Sequence, residues 1–249
     1  MKILYSITKS EIGGAQVHVL ELAKFMKNSE HEVGIVSFPG GWLENEAHKY
    51  DIEFFTNPYF ANSFNPFRLL KSFSLIDKVV EEFNPDIVHC HSSFAGLITR
   101  LVVRNKIPTI FTAHSWAFTD GASLFRKIIA PISERFVSKY TSKIICVSDY
   151  DRKLALRYKI ASPEKLTTIY NGISLENNSL QKRDNTFLSV GRLAYPKEFD
   201  LLIESFLKAK MPNTKLEIIG DGPDEEKVLN KIKNLNVDIP LGKLVCVTG

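Results

Sequence analysis

Short apolar runs alternate along this chain with longer segments in which apolar residues recur every three or four positions. The short runs have the length of buried strands, and the longer segments have the period of amphipathic helices. This alternation predicts βαβ units, and therefore a parallel sheet that is covered by helices on both faces. In the first part of the chain we predict strands at 3–7, 31–38, 51–55, 86–90, 109–113, 143–147 and 166–170.

The composition changes after this first series of elements. Residues 176–185 are mostly polar and rich in turn-forming side chains, so we predict a linker there, between a domain at 1–175 and another at 186–249. The second domain repeats the alternation, with strands at 187–190, 216–219 and 244–248 and helices at 198–210 and 224–235. The fold class predicted is α/β, with an N-terminal Rossmann-like domain and an incomplete second one, because a doubly wound domain has five or six strands.

The composition excludes several classes of protein. With 249 residues, 44% hydrophobic and 24% charged, the chain has the composition of an ordinary globular protein. The apolar run at the amino terminus is too short for a secretory signal, and no run reaches the roughly 20 residues of a spanning helix. Cys90, Cys146 and Cys246 lie in separate apolar runs and predict free thiols in a reducing cytoplasm.

Three turns that follow predicted strands carry residues suited to phosphate binding. Gly13 and Gly14 join the first strand to the first helix, and Gly220 and Gly222 occupy the matching place in the second domain. Neither pair has the third glycine of a dinucleotide fingerprint, so we reject that interpretation. Arg192 and Lys197 follow strand 187–190, where a diphosphate could bind. Structural turns and solvated surface cations remain the alternatives.

Histidines follow two neighbouring predicted strands. His89 and His91 share one face of strand 86–90, and His114 ends the next strand, so three imidazoles are expected near one crevice. No zinc-binding spacing is present, and we predict no metal. We expect His114 to act as a general acid/base or as a hydrogen-bond donor to a sugar, and His89 to be a core residue. Asp149 and Asp151 follow Ser148 as in a helix cap, which we prefer to a metal site.

Positive charge is concentrated between Arg100 and Lys143, although the formal net charge of the chain is only +4. A face this basic, beside the apolar residues Leu124, Phe125, Ile128 and Ile129, suits an anionic membrane surface; a solvated face is the alternative. The cations of this basic face are Arg100, Arg104, Lys106, Arg126, Lys127, Arg135, Lys139 and Lys143.

Taken in order, these segments resemble the large retaining glycosyltransferase family 4, with its GT-B architecture of two facing Rossmann-like domains. The resemblance runs along essentially the whole chain. It is carried by GGAQVHVLELA, DIVHCHS, FTAHSW, KIICVSD, IYNGIS, VGRLAYPKEFDLLIESF and LEIIGDGPDEEKV.

The resemblance implies a cytoplasmic transferase that works in surface polysaccharide synthesis, and peripheral attachment to the inner face of the plasma membrane is a further expectation. It would move a hexose or N-acetylhexosamine, with retention, from a nucleotide-diphosphate sugar to a glycan or lipid-linked acceptor. No nucleic-acid partner is expected. Arg192 and Lys197 match residues that neutralise the diphosphate in place of a metal, so no cofactor is expected. Gly13 and Gly14 match a phosphate-contacting loop, and His114 matches a histidine near the reacting carbon of the sugar.

The sequence departs from the family pattern at two places, and these departures leave alternative functions open. Glu198 stands where the family has glycine, and the Glu-x7-Glu element that holds the donor would fall beyond Gly249, so we expect a chain truncated at its C-terminal end. The alternative function is therefore an inactive remnant that binds only acceptor or membrane. A sugar-nucleotide epimerase on the same architecture is the third hypothesis.

Overall fold

The structure is a computed structural model that describes residues 1–60, 65–119, 122–172, 185–195, 197–212, 214–233 and 244–248. The chain divides into two compact units, Met1–Ser174 and Leu175–Gly249. The predicted linker lies outside the described residues, except for Asn185.

Unit 1 alternates strands and helices throughout. Its strands are β1 (Lys2–Ser6), β2 (Glu32–Ser37), β3 (Glu53–Thr56), β4 (Ile87–His91), β5 (Thr109–Ala113), β6 (Lys143–Cys146) and β7 (Leu166–Thr168). Its helices are α1 (Gly14–Asn28), α2 (Trp42–Lys49), α3 (Pro66–Phe83), α4 (Ser93–Val103), α5 (Leu124–Ser138) and α6 (Asp149–Arg157). A 3₁₀ turn at Pro163–Lys165 leads into β7. Each strand predicted in this unit is present, but α2 was not predicted.

The seven strands form one parallel sheet of order β3-β2-β1-β4-β5-β6-β7. Successive residues of β1 enter different cores: Leu4 packs into one apolar cluster, and Ile3 and Tyr5 pack into the other. Because neighbouring side chains of a strand point to opposite faces, the sheet is buried on both sides. Cys90 and Cys146 are buried free thiols within this core.

Unit 2 contains β8 (Thr186–Val190), α7 (Phe199–Ala209), β9 (Lys215–Ile219), α8 (Glu225–Lys233) and β10 (Leu244–Thr248). The strand order is β10-β9-β8. β8 and β9 are parallel, whereas β10 pairs antiparallel to β9. This direction differs from the parallel pairing that βα alternation predicts, because an apolar run indicates a strand without fixing the direction in which it joins the sheet.

β8 is more exposed than a buried strand. Phe187, Leu188 and Val190 are 48%, 47% and 69% exposed, which corrects the prediction that all three are core residues. The physical reason is that β8 has β9 as its one described neighbour and so lies at the edge of the described sheet. The core of unit 2 lies around α7 and α8 instead, where Ile203, Phe206 and Val228 are buried with Leu216.

Candidate active site

The strand order of unit 1 reverses between β1 and β4, and the candidate site lies at the carboxyl ends of these two strands. Such switch points leave a crevice between the loops that follow the adjacent strands. Two helices begin there, α1 at Gly14 and α4 at Ser93. The amino end of a helix carries partial positive charge and amide groups without partners inside the helix, which together favour an anionic ligand.

Hydroxyl groups hold the two loops together. Thr8 follows β1 and Ser92 follows β4, and their Oγ atoms lie 2.6 Å apart. The Thr8 hydroxyl also accepts the amide of Ala95 at 3.1 Å, so it caps helix α4 from another segment. Ser92 has a φ of +63°, a strained conformation for a residue with a side chain. Such strain persists where surrounding contacts fix the backbone, often at functional sites.

The glycine pair at the start of α1 is not required by backbone strain. Gly13 is extended with φ of −175°, and neither glycine is among the residues with positive φ. A side chain built at Gly14 would meet nothing within 4 Å, and one at Gly13 would meet only the flexible end of Gln16. Neither backbone strain nor packing against the described residues therefore requires glycine at these two positions, and phosphate binding at this turn stays a prediction.

Three histidines converge beside these loops. His91 ends β4 and His114 follows β5, and His91 Nδ1 lies 3.0 Å from His114 Nε2. The third is His18 on α1, whose ring centroid lies 5.0 Å from that of His114 and 5.7 Å from that of His91. The meeting of His91 and His114 was predicted from their strands, whereas His18 was not singled out.

His89 completes the group as a buried neighbour. Its ring centroid lies 4.2 Å from that of His91, and its Nε2 is 2.8 Å from the Thr112 hydroxyl. Its side chain is buried and its ring is hydrogen-bonded within the sheet. This geometry agrees with the expectation of a core residue.

Burial keeps the histidines neutral at pH 7. It lowers the pKa of His89 to about 3 and that of His114 to about 4, with a smaller contribution from neighbouring imidazoles. The pKa of His91 is lowered well below its usual value, and that of His18 is also lowered, again by burial. Of the roles expected for His114, the lowered pKa agrees with a hydrogen bond or a general base and disagrees with an imidazolium acid, because the ring is neutral near pH 7.

The loop after β8 in unit 2 carries Arg192 and Lys197, and both residues are exposed. In the described part of the chain neither takes part in an ion pair. Lys197 lies just before α7, and Glu198 is the residue that precedes the first turn of this helix. Both cations are thus available to an anionic ligand.

Gly220 and Gly222 bring the loop after β9 against this cation-bearing loop. A Cβ atom at Gly220 would lie 1.9 Å from the carbonyl oxygen of Gly191, and one at Gly222 would lie 2.4 Å from that of Leu193. Gly222 also has a φ of +151°, which side chains rarely allow. The amide of Leu193 donates to Asp221 O at 2.7 Å. These contacts support a packing role for both glycines, which fixes the backbone beside Arg192.

Comparison with known proteins agrees with this architecture. A family model described as Glycosyltransferase Family 4 matches residues 12–177, and one described as Glycosyl transferases group 1 matches residues 173–239. The chain belongs to glycosyltransferase family 4. The resemblance noted from its motifs is thereby confirmed.

Relatives of this family 4 chain include two Escherichia coli proteins. The O-antigen biosynthesis glycosyltransferase WbnH is 30% identical over 223 residues, which cover 88% of this chain and 62% of the relative. The UDP-Gal:alpha-D-GlcNAc-diphosphoundecaprenol alpha-1,3-galactosyltransferase is 25% identical, with coverage of 96% and 66%. The family 4 chain therefore spans about two thirds of the length of these relatives.

Solved structures share the fold. Anabaena Alr3699/HepE in complex with UDP-glucose superposes with a TM-score of 0.71 at 17% identity, over 95% of this chain and 66% of that chain. The predicted α/β, GT-B-like fold class is confirmed.

The family 4 chain also has a group of side chains that could hold a metal ion. His18, His91 and His114 offer ligand atoms that all lie within 4.8 Å of one another, and neutral imidazole is the form that metals bind. Two of these rings already meet each other, since His91 Nδ1 lies 3.0 Å from His114 Nε2, while His91 Nε2 is buried without a hydrogen-bond partner among the described residues. Independence of metal remains a prediction.

The two aspartates that follow β6 lie in the first turn of α6, and Ser148 caps this helix. The Ser148 hydroxyl accepts the amide of Asp151 at 3.1 Å and donates to its carboxylate at 2.6 Å. Asp149 accepts from the Thr168 hydroxyl at 2.8 Å and from the Tyr170 hydroxyl at 2.9 Å. The capping interpretation is confirmed.

The structure corrects the predicted basic face at Arg100, which is not a surface residue. Arg100 is fully buried and pairs with Glu134 at 2.7 Å, while its guanidinium carbon lies 4.1 Å from the centre of the Phe111 ring. A charge that is buried and paired contributes little to a surface field, so the basic face excludes Arg100. No helix in the described ranges is both long and apolar enough to cross a bilayer.

Proposed function

We propose that this chain forms part of a retaining glycosyltransferase that moves a hexose or N-acetylhexosamine from a nucleotide-diphosphate sugar to a glycan or lipid-linked acceptor. The observation that carries the proposal is the cluster of neutral histidines beside two helix amino ends, in a chain of family 4. Relatives named for O-antigen synthesis support surface polysaccharide as the product. The alternative, an inactive remnant that binds only acceptor or membrane, would be favoured if the transfer assay shows no turnover.

A uridine nucleotide is the proposed donor carrier. UDP-glucose is bound in the solved Alr3699/HepE structure, and the Escherichia coli galactosyltransferase is named for UDP-Gal. In this chain, we assign the diphosphate to Arg192 and Lys197, whose exposed charges have no described acidic partner. Fixed cations of this kind stabilise negative charge as it develops on a leaving group, so the proposal needs no metal ion or other cofactor.

The transfer itself exchanges one bond for another. The bond between the anomeric carbon and the diphosphate oxygen breaks, and a bond to the acceptor hydroxyl oxygen forms on the same face of the sugar. The hydroxyl proton leaves with the nucleoside diphosphate, which takes up the electron pair of the broken bond. We assign to His114 a hydrogen bond to the donor sugar, because its Nε2 faces His91 while the Nδ1 of its neutral ring can donate or accept a second hydrogen bond.

The site of action proposed is the cytoplasmic side of the plasma membrane, with peripheral attachment to anionic lipid. This proposal rests on the exposed apolar residues of α5 together with exposed cations such as Arg126, Arg135 and Lys139. Apolar side chains next to cations are the pattern of helices that lie in a membrane interface.

A transfer assay tests the function. The chain is incubated with UDP-glucose, UDP-galactose or UDP-N-acetylglucosamine and a lipid extract from membranes, and the product linkage is read by NMR. We expect α-linked product from one of these α-configured donors, and a loss of about 10²-fold in turnover for His114→Ala, as for other transition-state hydrogen bonds. His48→Ala, an exposed position on α2, is the matched control. Absence of turnover with every donor would favour the remnant, and a β-linked product would refute retention.

A further inference from the structure

A second feature of unit 1 lies beside the glycine loop and is not explained by a donor sugar. It is a cavity of about 470 Å³ between the start of α1, the start of α4 and one side of α5. Phe94, Leu97, Phe125, Ile129 and Ala130 form an apolar wall.

The same cavity is also lined by cations. Lys9 and Arg126 line it, together with Gln16 at the amino end of α1 and Ser93 at that of α4. None of the lining residues that the structure describes is acidic, and the carboxylate of Glu11 lies 3.9 Å from Lys9 Nζ, at the limit of an ion pair. Two cations and two helix amino ends make the cavity attractive to phosphate.

The apolar wall continues onto the exposed face of α5. Leu124, Phe125, Ile128 and Ile129 are 79%, 71%, 61% and 43% exposed, and Phe125 and Ile129 belong to both the cavity and this face. Large apolar side chains exposed side by side mark an interaction surface. A ligand could therefore enter the cavity along α5 without leaving an apolar environment.

We propose that this cavity binds a lipid phosphate, with the phosphate at Lys9 and Arg126 and the hydrocarbon chain against Phe125 and Ile129. The proposal deepens the proposed function and rests on it, because it assigns this cavity to the lipid of a lipid-linked acceptor. A free sugar acceptor would leave the apolar wall unused, and a free phosphate would leave the apolar face of α5 uncovered. A molecule with both a phosphate and a hydrocarbon chain matches both the cationic and the apolar residues that line the cavity.

Binding of farnesyl diphosphate to the whole 249-residue chain tests this proposal by calorimetry, with pyrophosphate and farnesol as half-ligands. We expect saturable binding that is at least about tenfold tighter than that of either half-ligand. Phe125→Ser and Arg126→Gln alter exposed side chains and should each weaken binding about tenfold. Phe67→Ser on α3 and Arg104→Gln after α4, also exposed positions, are controls that should not.

Two results would overturn the proposal: pyrophosphate that binds as tightly as farnesyl diphosphate, or affinity that is unchanged in both cavity variants. A vesicle flotation experiment distinguishes attachment to a bilayer surface from binding of a single lipid in the cavity. Flotation on phosphatidylglycerol vesicles without farnesyl diphosphate binding would assign α5 to the membrane surface and refute the cavity site. A UDP titration of the same protein separates the two proposals, since UDP binding with no lipid binding would refute only this inference.

Discussion

Mild acid should destabilise unit 1 because its buried histidines stay neutral while unfolded histidines take up protons. The pKa of His89 is about 3, and that of His91 is also lowered well below its ordinary value. For a group whose pKa is lowered on folding in this way, stability is full above the unfolded value of about 6.5 and falls as the pH drops below it.

The magnitude follows from the two pKa values of each histidine. Between pH 7 and pH 5, protonation stabilises the unfolded state by about 2 kcal/mol for each histidine that remains neutral when folded. The folded pKa of His114, about 4, also keeps that ring neutral at pH 5, so His89, His91 and His114 together should cost about 6 kcal/mol of unfolding free energy. Unfolded carboxyl groups have pKa values of about 4, so this pH range reports mainly on histidine.

Urea unfolding followed by tryptophan fluorescence measures this effect in unit 1 alone, because both tryptophans, Trp42 and Trp116, lie there. His89→Gln, which can keep a hydrogen bond to Thr112, should remove about a third of the loss on acidification. His48→Gln on the surface should keep all of it. Equal stability at pH 7 and pH 5, or an unchanged loss in His89→Gln, would refute the inference that these rings are neutral and buried.

Three further predictions concern packing and metal. Gly222→Ala should destabilise unit 2 by about 1–3 kcal/mol, because Gly222 has a positive φ and its Cβ would meet the backbone of Leu193. The measurement is hydrogen exchange of the β9 amides, which should become faster in Gly222→Ala and stay unchanged in Gly14→Ala. Glu134→Ala should cost unit 1 about 3–5 kcal/mol in urea unfolding, since it leaves the buried Arg100 unpaired; a loss below about 1 kcal/mol would contradict the pairing. Chelation by EDTA should leave transfer unchanged, and activity that returns only with added Mg²⁺ or Mn²⁺ would refute the metal-free proposal.

Local patterns were sufficient to predict the strands of unit 1 and much of its candidate site. The apolar runs located all seven strands, and the turns after them located Gly13, Gly14, His91 and His114. This works because the carboxyl ends of parallel strands lie at one edge of a sheet, so chain position alone indicates which loops meet.

Features that depend on tertiary contacts escaped prediction. Helix α2 has only Leu43 and Ala47 buried, too few apolar positions to reveal a period. His18 stood within the glycine motif, but its role depends on the helical turn that brings it to His114. Arg100 looked like a surface cation because its partner, Glu134, lies on another helix 34 residues away. The exposure of β8 depends on its neighbours in the sheet, which its own residues do not encode.

Titration of the chain with UDP tests the central claim, nucleotide-sugar chemistry in a family 4 chain, most directly. We predict saturable heat for the wild type and a loss of at least about tenfold in affinity for Arg192→Ala and for Lys197→Ala, with both variants folded by circular dichroism. Lys208→Ala, at the far end of α7, is the matched control. Absence of heat with the wild type, or equal affinity in both variants, would contradict the account.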